Sequence, residues 1–117
     1  VMINADKFRV RQVFVNLITN SIKYGKQNGK TLVGILDKEN ITTIFVSDDG
    51  IGIEEVHLPR LFERFYRVDK GRSREQGGTG LGLAIVKHIL EAHHQSIKVT
   101  SKVGDGTTFT FTLQKSI

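Results

Sequence analysis

The sequence predicts an α+β domain, a two-layer α/β sandwich in which helices pack on one face of a mixed, mostly antiparallel sheet. Two observations support this. Stretches with helical apolar spacing are interleaved with two pairs of alternating, β-branched stretches, and this order favours helices packed on a sheet. A chain of 117 residues is also long enough for a single core, so residues 1–117 are expected to form one domain.

The first helix is predicted to follow Asp6, because aspartate is a good N-cap. Apolar residues then recur at roughly helical spacing: Phe8, Val10, Val13, Phe14, Leu17, Ile18 and Ile22. The turn-rich stretch "YGKQNGK" (24–30) ends this helix. A short helix is expected near Pro59, and a second amphipathic helix over 80–93.

Four strands are predicted. "TLVGILD" (31–37) and "ITTIFVSD" (41–48) form a hairpin, and "SIKVTS" (96–101) pairs with "TTFTFTL" (107–113) across the turn "KVGDG". Residues 66–79 are polar, charged and rich in glycine without any periodicity. They are expected to form a mobile loop, and loops of this length in compact domains are often lids or binding loops.

Composition excludes several classes of function. The chain has no cysteine, so it contains neither disulfides nor thiolate metal sites. Its longest apolar runs, "VFV" and "LAIV", are far too short to span a membrane, and it shows no signal peptide. This fragment is therefore expected to make no direct membrane contact.

The net charge of +5 is concentrated in residues 60–74, where basic side chains alternate with aromatic ones. Such a cluster suits single-stranded nucleic acid, and it suits the phosphates of a small nucleotide equally well. A solvated surface would also account for the charge.

One face of the first helix carries a polar stripe, because Asn16, Asn20, Lys23 and Tyr24 are spaced i, i+4, i+7 and i+8. An asparagine oxygen suits Mg²⁺, and lysine suits phosphate. The stripe therefore suits a metal-bound polyphosphate, although any amphipathic helix has an outward polar face.

Three glycine clusters punctuate the chain. "QGGTGLGLAIVKHI" (76–89) fits neither the dinucleotide fingerprint nor the P-loop spacing. "SDDGIGI" (47–53) places Asp48 beside Gly50 and Gly52. An ionised carboxylate only accepts hydrogen bonds, so it favours the exocyclic amine of adenine over the carbonyl of guanine. "GDGTTF" (104–109) is explained by a tight turn between strands.

In this order, "NLITNSIKY", "DDGIGI", "LFERFYRVD", "GGTGLGL" and "GDGTTF" span nearly the whole chain. They resemble the asparagine, first glycine, phenylalanine, second glycine and third glycine boxes of the catalytic ATP-binding domain of bacterial sensor histidine kinases. The resemblance implies the Bergerat-type sandwich shared with gyrase-type ATPases and heat-shock chaperones. It also implies ATP and Mg²⁺ as ligands.

The resemblance assigns roles to individual residues. It implies that Asn20 coordinates Mg²⁺ with Asn16 close by, and that Asp48 accepts from the adenine amine. The residues implied to act in catalysis are Asn20, Lys23 and Arg67. Lys23 and Tyr24 would line the phosphate and ribose side, and Gly50 and Gly52 would let the base lie against backbone.

The resemblance also implies a lid of about residues 66–79, anchored by Phe62 and Phe65, from which Arg67 reaches the phosphates. Backbone amides of the second glycine box would bind the triphosphate at a helix N-terminus: Gly78, Gly80 and Gly82. The other implied nucleotide contacts are Ile53, Thr79, Leu81, Leu83 and Thr108.

Hydrolysing members of this fold generally carry a glutamate four residues before the metal-binding asparagine, where this chain has Asn16. An amide cannot serve as a general base, whereas transfer to an imidazole depends on positioning and charge neutralisation. The implied activity is that of a protein-histidine kinase. An ATP hydrolase of the same fold, and a nucleic-acid-binding module using the 60–74 cluster, are the alternatives; nucleic acid is not an expected partner of the kinase.

No histidine of this chain lies in the acceptor motif His-Glu-x-x-x-Pro. The phosphoacceptor is therefore expected on a separate dimerisation domain, with a response regulator downstream and a homodimer for the full-length kinase. The opening "VMINADKF" suggests an excised piece, the cytoplasmic domain of a membrane-bound bacterial sensor kinase. "HHQS" (93–96) replaces the family's Gly-Gly turn, which should alter only the turn geometry.

Overall fold

A computed structural model describes residues 6–25, 28–66, 68 and 81–114. The elements follow in the predicted order: helix α1 (Lys7–Lys23), strands β1 (Thr31–Asp37) and β2 (Ile41–Asp48), a 3₁₀ helix (Glu55–Arg60), helix α2 (Gly82–Ala92), and strands β3 (Ile97–Lys102) and β4 (Gly106–Gln114). The first two strands have the predicted bounds. Arg67, Gly78, Thr79, Gly80 and most of the predicted lid 66–79 lie outside the described residues.

The four strands form one sheet in the order β1-β2-β4-β3, and all three pairs are antiparallel. The 3₁₀ helix and α2 lie in the connection between β2 and β3, while β4 returns to pair with β2. Helices α1 and α2 cover one face of the sheet, so the predicted two-layer α+β sandwich is confirmed.

The core lies between the two helices and the sheet. Side chains alternate along β2 and β4, and those facing the helices are buried. Phe109 and Phe111 are at most 1% exposed, and the ring of Phe14 packs edge-on against Phe111 with centroids 5.7 Å apart. Asp48, the last residue of β2, shares the buried face of its strand. The strand pattern therefore places one carboxylate on the helix side of the sheet.

Only part of the apolar series along α1 is buried. Phe8 is 77% exposed and Ile22 69% exposed, so neither belongs to the buried face although both follow the helical spacing. That face centres on Val13, Leu17 and Ser21. At about 100° per residue, Phe8 and Ile22 lie on the opposite side of the helix from Leu17, away from the sheet.

The start of α1 is joined to the end of α2. Asp6 caps α1, since its carboxylate accepts from the amides of Phe8 and Arg9 at 3.0 and 3.1 Å. The Asp6 amide donates to Nε2 of His93 at 3.0 Å, while Nδ1 of His93 lies 2.8 Å from the carbonyl oxygen of Ile89. Because that carbonyl can only accept, Nδ1 carries the proton, and both ring nitrogens of His93 serve the structure.

The end of α2 is a Schellman motif. The amide of His94 donates to Glu91 O at 2.9 Å, and the amide of Gln95 donates to Leu90 O at 2.8 Å. His94 therefore takes a φ of 58°, in the left-handed region that glycine normally occupies at this position. The stretch "HHQS" thus adopts the turn geometry that glycine normally provides, with His94 in the glycine position.

Strand β1 lies at one end of the sheet and presents apolar side chains on both of its faces. Leu32, Val33, Ile35 and Leu36 are each more than 40% exposed. No helix among the described residues combines the length and the apolar character needed to cross a bilayer.

Candidate functional site

The polar stripe of α1 faces the beginning of α2. The side-chain amide of Asn16 donates to the carbonyl oxygen of Gly82 at 3.3 Å. Asn20, one turn further along α1, is half-buried, and its side chain has no hydrogen-bond partner within the described part of the chain. The structure thus brings Asn16 to the N-terminal end of α2, with Asn20 one turn further along α1.

Helix α2 begins at Gly82, and no side chain of the described residues caps it. The first amide to bond back into the helix is that of Ile85, which donates to Leu81 O at 2.9 Å, so the amides of residues 82–84 have no carbonyl partner in the helix. A side chain at Gly82 would meet no atom of the described residues within 4 Å. A helix N-terminus with unpaired amides is a favourable place for an anion.

The second feature is a nearly buried carboxylate. Asp48 is only 8% exposed, and its Oδ1 accepts from the amide of Gly50 at 2.9 Å. No other hydrogen bond or ion pair from the described residues reaches this side chain, so one carboxylate oxygen is available to a ligand. This short Asx turn fixes the direction of the carboxylate.

Contacts within the protein account for the glycines that follow Asp48. A Cβ on Gly50 would overlap the carbonyl oxygen of Tyr24, and one on Gly52 would overlap that of Lys102. Gly52 also has a φ of 77°, which strains other residues. Glycine is therefore required at both positions for packing. That a base lies against them remains a prediction.

Helix α1 links the two features. Tyr24, which follows the last residue of α1, accepts from the amide of Ile51 at 3.4 Å, so this end of the helix contacts the segment after Asp48. Asn16 lies eight residues earlier, about 12 Å away along the axis. The half-buried Lys23 lies near the carboxylate end. The polar stripe therefore runs from the start of α2 to Asp48.

Thr108, a predicted nucleotide contact, has its side chain on the opposite face of the sheet from Asp48. Its hydroxyl lies 2.7 Å from Ser47 Oγ, on the face opposite the helices. Thr107 is 6% exposed and pairs directly with Asp48 across β2 and β4. The physical reason is that side chains alternate between the two faces along a strand. Asp48 faces the helices, so Thr107, which lies directly opposite it, shares that face and Thr108 does not. We therefore replace Thr108 by Thr107 in the candidate site.

The two predicted lid anchors differ in their packing. Phe62 packs edge-on against Phe109 with ring centroids 6.1 Å apart, so it is fixed in the core. Phe65 is 68% exposed and has a φ of 64°, and it is not held by the core. Ile53 and Leu83 are half-buried against the core, and Leu81 is half-buried at the start of α2.

The start of the basic cluster is organised around Tyr66. Its hydroxyl is hydrogen-bonded to Nδ1 of His57, and the guanidinium of Arg60 lies 4.6 Å from its ring centroid. Arg60 also forms a 2.6 Å ion pair with Glu63. The hydrogen bond that Arg60 donates to Glu63 within this pair raises the pKa of the Arg60 guanidinium above its ordinary value. Arg60 is thus already paired within the domain.

Sequence reasoning missed Ser101. Its hydroxyl oxygen accepts from the amide of Ile53 at 2.8 Å, across 48 positions of the chain, and it also lies 2.7 Å from Thr107 Oγ1. The pattern "SIKVTS" placed Ser101 in a strand, but a contact this distant in sequence leaves no local signal.

The described residues contain no group of three or more histidine, cysteine or acidic side chains able to hold a metal ion. A metal at this site would therefore depend on an amide oxygen and on oxygens of the ligand. This donor set suits Mg²⁺, which keeps several waters and binds substrate phosphates.

Comparisons with known proteins identify the family of this chain. A model of the family described as histidine kinase-, DNA gyrase B-, and HSP90-like ATPases matches residues 5–117. The chain is 44% identical over 94% of its length to the phosphate regulon sensor protein PhoR of Pseudomonas aeruginosa, and 43% identical over 95% to the sensor histidine kinase WalK of Bacillus subtilis. It spans only 25% and 18% of those two proteins.

Solved structures show the same likeness. The mycobacterial sensor histidine kinase MprB matches 97% of the chain, with 76% of that structure covered, at 26% identity and a TM-score of 0.86. Full-length ShkA in complex with AMPPNP matches 97% of the chain, with 23% of that structure covered, at 29% identity and a TM-score of 0.81. The resemblance to sensor histidine kinases is confirmed. The chain therefore belongs to the family of histidine kinase-, DNA gyrase B- and HSP90-like ATPases.

Proposed function

We propose that this domain binds Mg-ATP, and that the γ-phosphate passes from it to a histidine on a separate dimerisation and phosphoacceptor domain of the same sensor kinase. The observation that carries the proposal is the arrangement along α1. The acceptor Asp48 lies at one end of the polar stripe, and the uncapped amides of α2 lie at the other. This arrangement is complementary to an amino-bearing base joined to a polyphosphate.

Asp48 recognises the base at one end of the site. Its carboxylate accepts from the exocyclic amine of adenine, while the Gly50 amide holds it in place. A guanine carbonyl at that position would face an acceptor without a proton and would be repelled. The half-buried side chain of Ile53 supplies an apolar surface nearby.

The start of α2 binds the phosphates. The amides of Gly82, Leu83 and the following residue donate to phosphate oxygens, and the helix dipole favours their negative charge. Asn16 holds this end in position through Gly82 O, and Lys23 contributes a positive charge from α1. Arg67, Gly78, Thr79 and Gly80, outside the described residues, remain predicted phosphate contacts.

The residues present fit a magnesium ion. The side chain of Asn20 is half-buried, lacks a partner among the described residues, and lies one helical turn from Asn16, which contacts the phosphate-binding end. Asn20 would hold the ion, which when bound neutralises charge on the triphosphate oxygens.

Transfer to histidine is favoured over hydrolysis. Asn16 stands where a hydrolase would need its general base, and its amide is engaged with Gly82 O. Transfer to an imidazole requires an aligned acceptor and a neutralised phosphate. His57 and His93 are hydrogen-bonded within the domain, so neither is offered as that acceptor.

The wider setting is part of the same proposal. The acceptor helices, the homodimer that they form and the response regulator all lie outside this chain. We place this domain on the cytoplasmic side of a membrane-bound kinase. Its relatives are sensor proteins of which the chain spans a quarter or less, which supports this setting.

Titration with ATP in the presence of Mg²⁺ tests the binding step. Asp48→Ala is expected to abolish binding. Asp48→Asn keeps an oxygen for the Gly50 amide but removes the charge and presents a donor, so affinity should fall by at least about tenfold. Unchanged affinity in both variants would remove the assignment of Asp48.

The transfer step is tested by mixing the domain with its separate acceptor domain and ATP labelled on the γ-phosphate. Label on the acceptor histidine is expected, and substitution of that histidine by alanine provides the control. Release of free phosphate without labelling of the acceptor would instead support a hydrolase.

A further inference from the structure

We propose that Ser101 is a positioning residue for the base-recognition end of the site. Its hydroxyl fastens segment 48–53 onto the turn between β3 and β4, so selectivity for adenine depends on a residue distinct from the assigned nucleotide contacts. The link to adenine rests on the proposed function, whereas the fastening itself does not.

The hydroxyl of Ser101 makes three short contacts. Its oxygen accepts from the Ile53 amide at 2.8 Å, and it lies 3.0 Å from Gly106 O and 2.7 Å from Thr107 Oγ1. A carbonyl can only accept, so Ser101 donates its single proton to Gly106 O. For the third contact to be a hydrogen bond as well, the Thr107 hydroxyl must donate to Ser101. The Ser101 hydroxyl then donates one hydrogen bond and accepts two.

The backbone of the same turn interlocks with the same segment. The Gly104 amide donates to Ile51 O at 2.9 Å. A Cβ on Gly106, which has a φ of 107°, would overlap the carbonyl oxygen of Asp48. A Cβ on Gly52 would likewise overlap the carbonyl oxygen of Lys102, at the start of this turn. The third glycine cluster therefore makes room for the first one, which explains a motif that turn geometry alone left without a function.

The consequence for the site follows from where β2 ends. Asp48 is the last residue of β2, and residues 49–53 leave the sheet. Ser101 holds Ile53, at the far end of this segment, while the sheet holds Asp48. The Gly50 amide that orients the carboxylate lies between these two points. Asp49, bonded to Lys30, and Ile51, bonded to Tyr24 and Gly104, also hold this segment. Loosening Ile53 therefore removes one of its fastenings and weakens the orientation of Asp48, but leaves the phosphate end on α2 untouched.

The experiment uses Ser101→Ala, with Ser101→Thr as the variant that keeps the hydroxyl. Ser47→Ala is the matched control, since Ser47 makes a 2.7 Å hydroxyl pair with Thr108 on the opposite face of the sheet. The first measurement is amide hydrogen exchange in the ligand-free domain. Exchange at Ile53 should become at least about tenfold faster in Ser101→Ala, and stay near wild type in the other two.

The second measurement is the ratio of ATP to GTP affinity, alongside the affinity for inorganic tripolyphosphate. In Ser101→Ala the ratio should fall by at least about fivefold while tripolyphosphate affinity is unchanged, a split that general destabilisation would not produce. Ser101→Thr should restore the wild-type ratio. If Ser101→Ala does not fold, Ser101→Cys replaces it, and smaller changes in the same direction are expected.

The outcomes separate the two proposals. Unchanged Ile53 exchange in Ser101→Ala overturns the fastening. Faster exchange with an unaltered affinity ratio overturns the positioning role, and a threonine variant that behaves like alanine overturns the assignment to the hydroxyl. A wild-type domain that binds no ATP overturns the proposed function and the adenine link, while the exchange result still decides the fastening.

Discussion

The side-chain amide of Asn16 donates to the carbonyl oxygen of Gly82 at 3.3 Å, joining the middle of α1 to the first residue of α2. This contact aligns the polar stripe with the helix N-terminus assigned to phosphate. Two residues 66 positions apart in the sequence are thereby brought together in the candidate site.

Replacing Asn16 with alanine removes this contact and should weaken ATP binding by about three- to tenfold, the usual effect of one hydrogen bond. The thermal unfolding midpoint should change little, because the contact is solvent-accessible. Titration calorimetry measures the affinity. Thr19→Ala, on the exposed side of the same helix, is the control, and equal affinities in the two variants would contradict the role of Asn16.

Asn20→Ala should lose much of the dependence of ATP affinity on Mg²⁺, because Asn20 is the protein ligand assigned to the ion. The measurement is ATP affinity with Mg²⁺ and with excess chelator. Wild type should bind at least about tenfold more tightly with the ion than without it. A wild-type domain indifferent to Mg²⁺ would count against this assignment.

His94→Gly should stabilise the domain by about 1 kcal/mol, because glycine adopts the left-handed φ of this position without strain. For a domain of this size, Tm should rise by about 4 °C. His94→Ala is the matched variant: it loses the imidazole but keeps a Cβ, and no such rise is expected. A similar gain in both variants would attribute the effect to the side chain.

Phe109→Ala should cost about 3–5 kcal/mol of stability, since Phe109 is fully buried and packs against Phe62. Phe65→Ala removes a ring that is 68% exposed and should leave the denaturation midpoint nearly unchanged. Chemical denaturation of the two variants checks this. A large loss in Phe65→Ala would show that this ring is packed in solution.

Binding to single-stranded oligonucleotides tests the nucleic-acid alternative. We expect weak binding that declines steeply as salt is raised, and no dependence on Asp48. Competition against bound ATP at 0.15 M salt is the measurement. Displacement of ATP by a short oligonucleotide at low micromolar concentration would favour a nucleic-acid-binding module instead.

Much of the fold could be predicted because its signals are local. The alternation in β1 and β2 and the cap at Asp6 depend on residues close together in the sequence. These elements appear at the predicted positions. The width of the buried face of α1 is not determined by neighbouring residues in the sequence. Phe8 and Ile22 satisfy helical spacing, yet what covers a helix depends on the elements packed against it.

The same distinction applies to the site. The order of the motifs identified Asn16, Asn20 and Asp48 as candidates, and the structure brings Asn16 to α2 and Asp48 to the other end of α1. That Thr107 and not Thr108 lies beside Asp48 depends on the register between β2 and β4, and the sequence of either strand alone does not determine this register. Ser101 acts through three partners in two separate parts of the chain, so only the folded structure reveals it.

The outer edge of β1 has a practical consequence for every titration proposed above. No other described strand pairs with this edge, and β1 has exposed leucine, valine and isoleucine and no lysine or proline, features that favour the addition of another strand. Addition of a strand from a second molecule at this edge would be favoured at high protein concentration. An apparent stoichiometry below one nucleotide per chain would then report self-association, and dilution should restore it to unity.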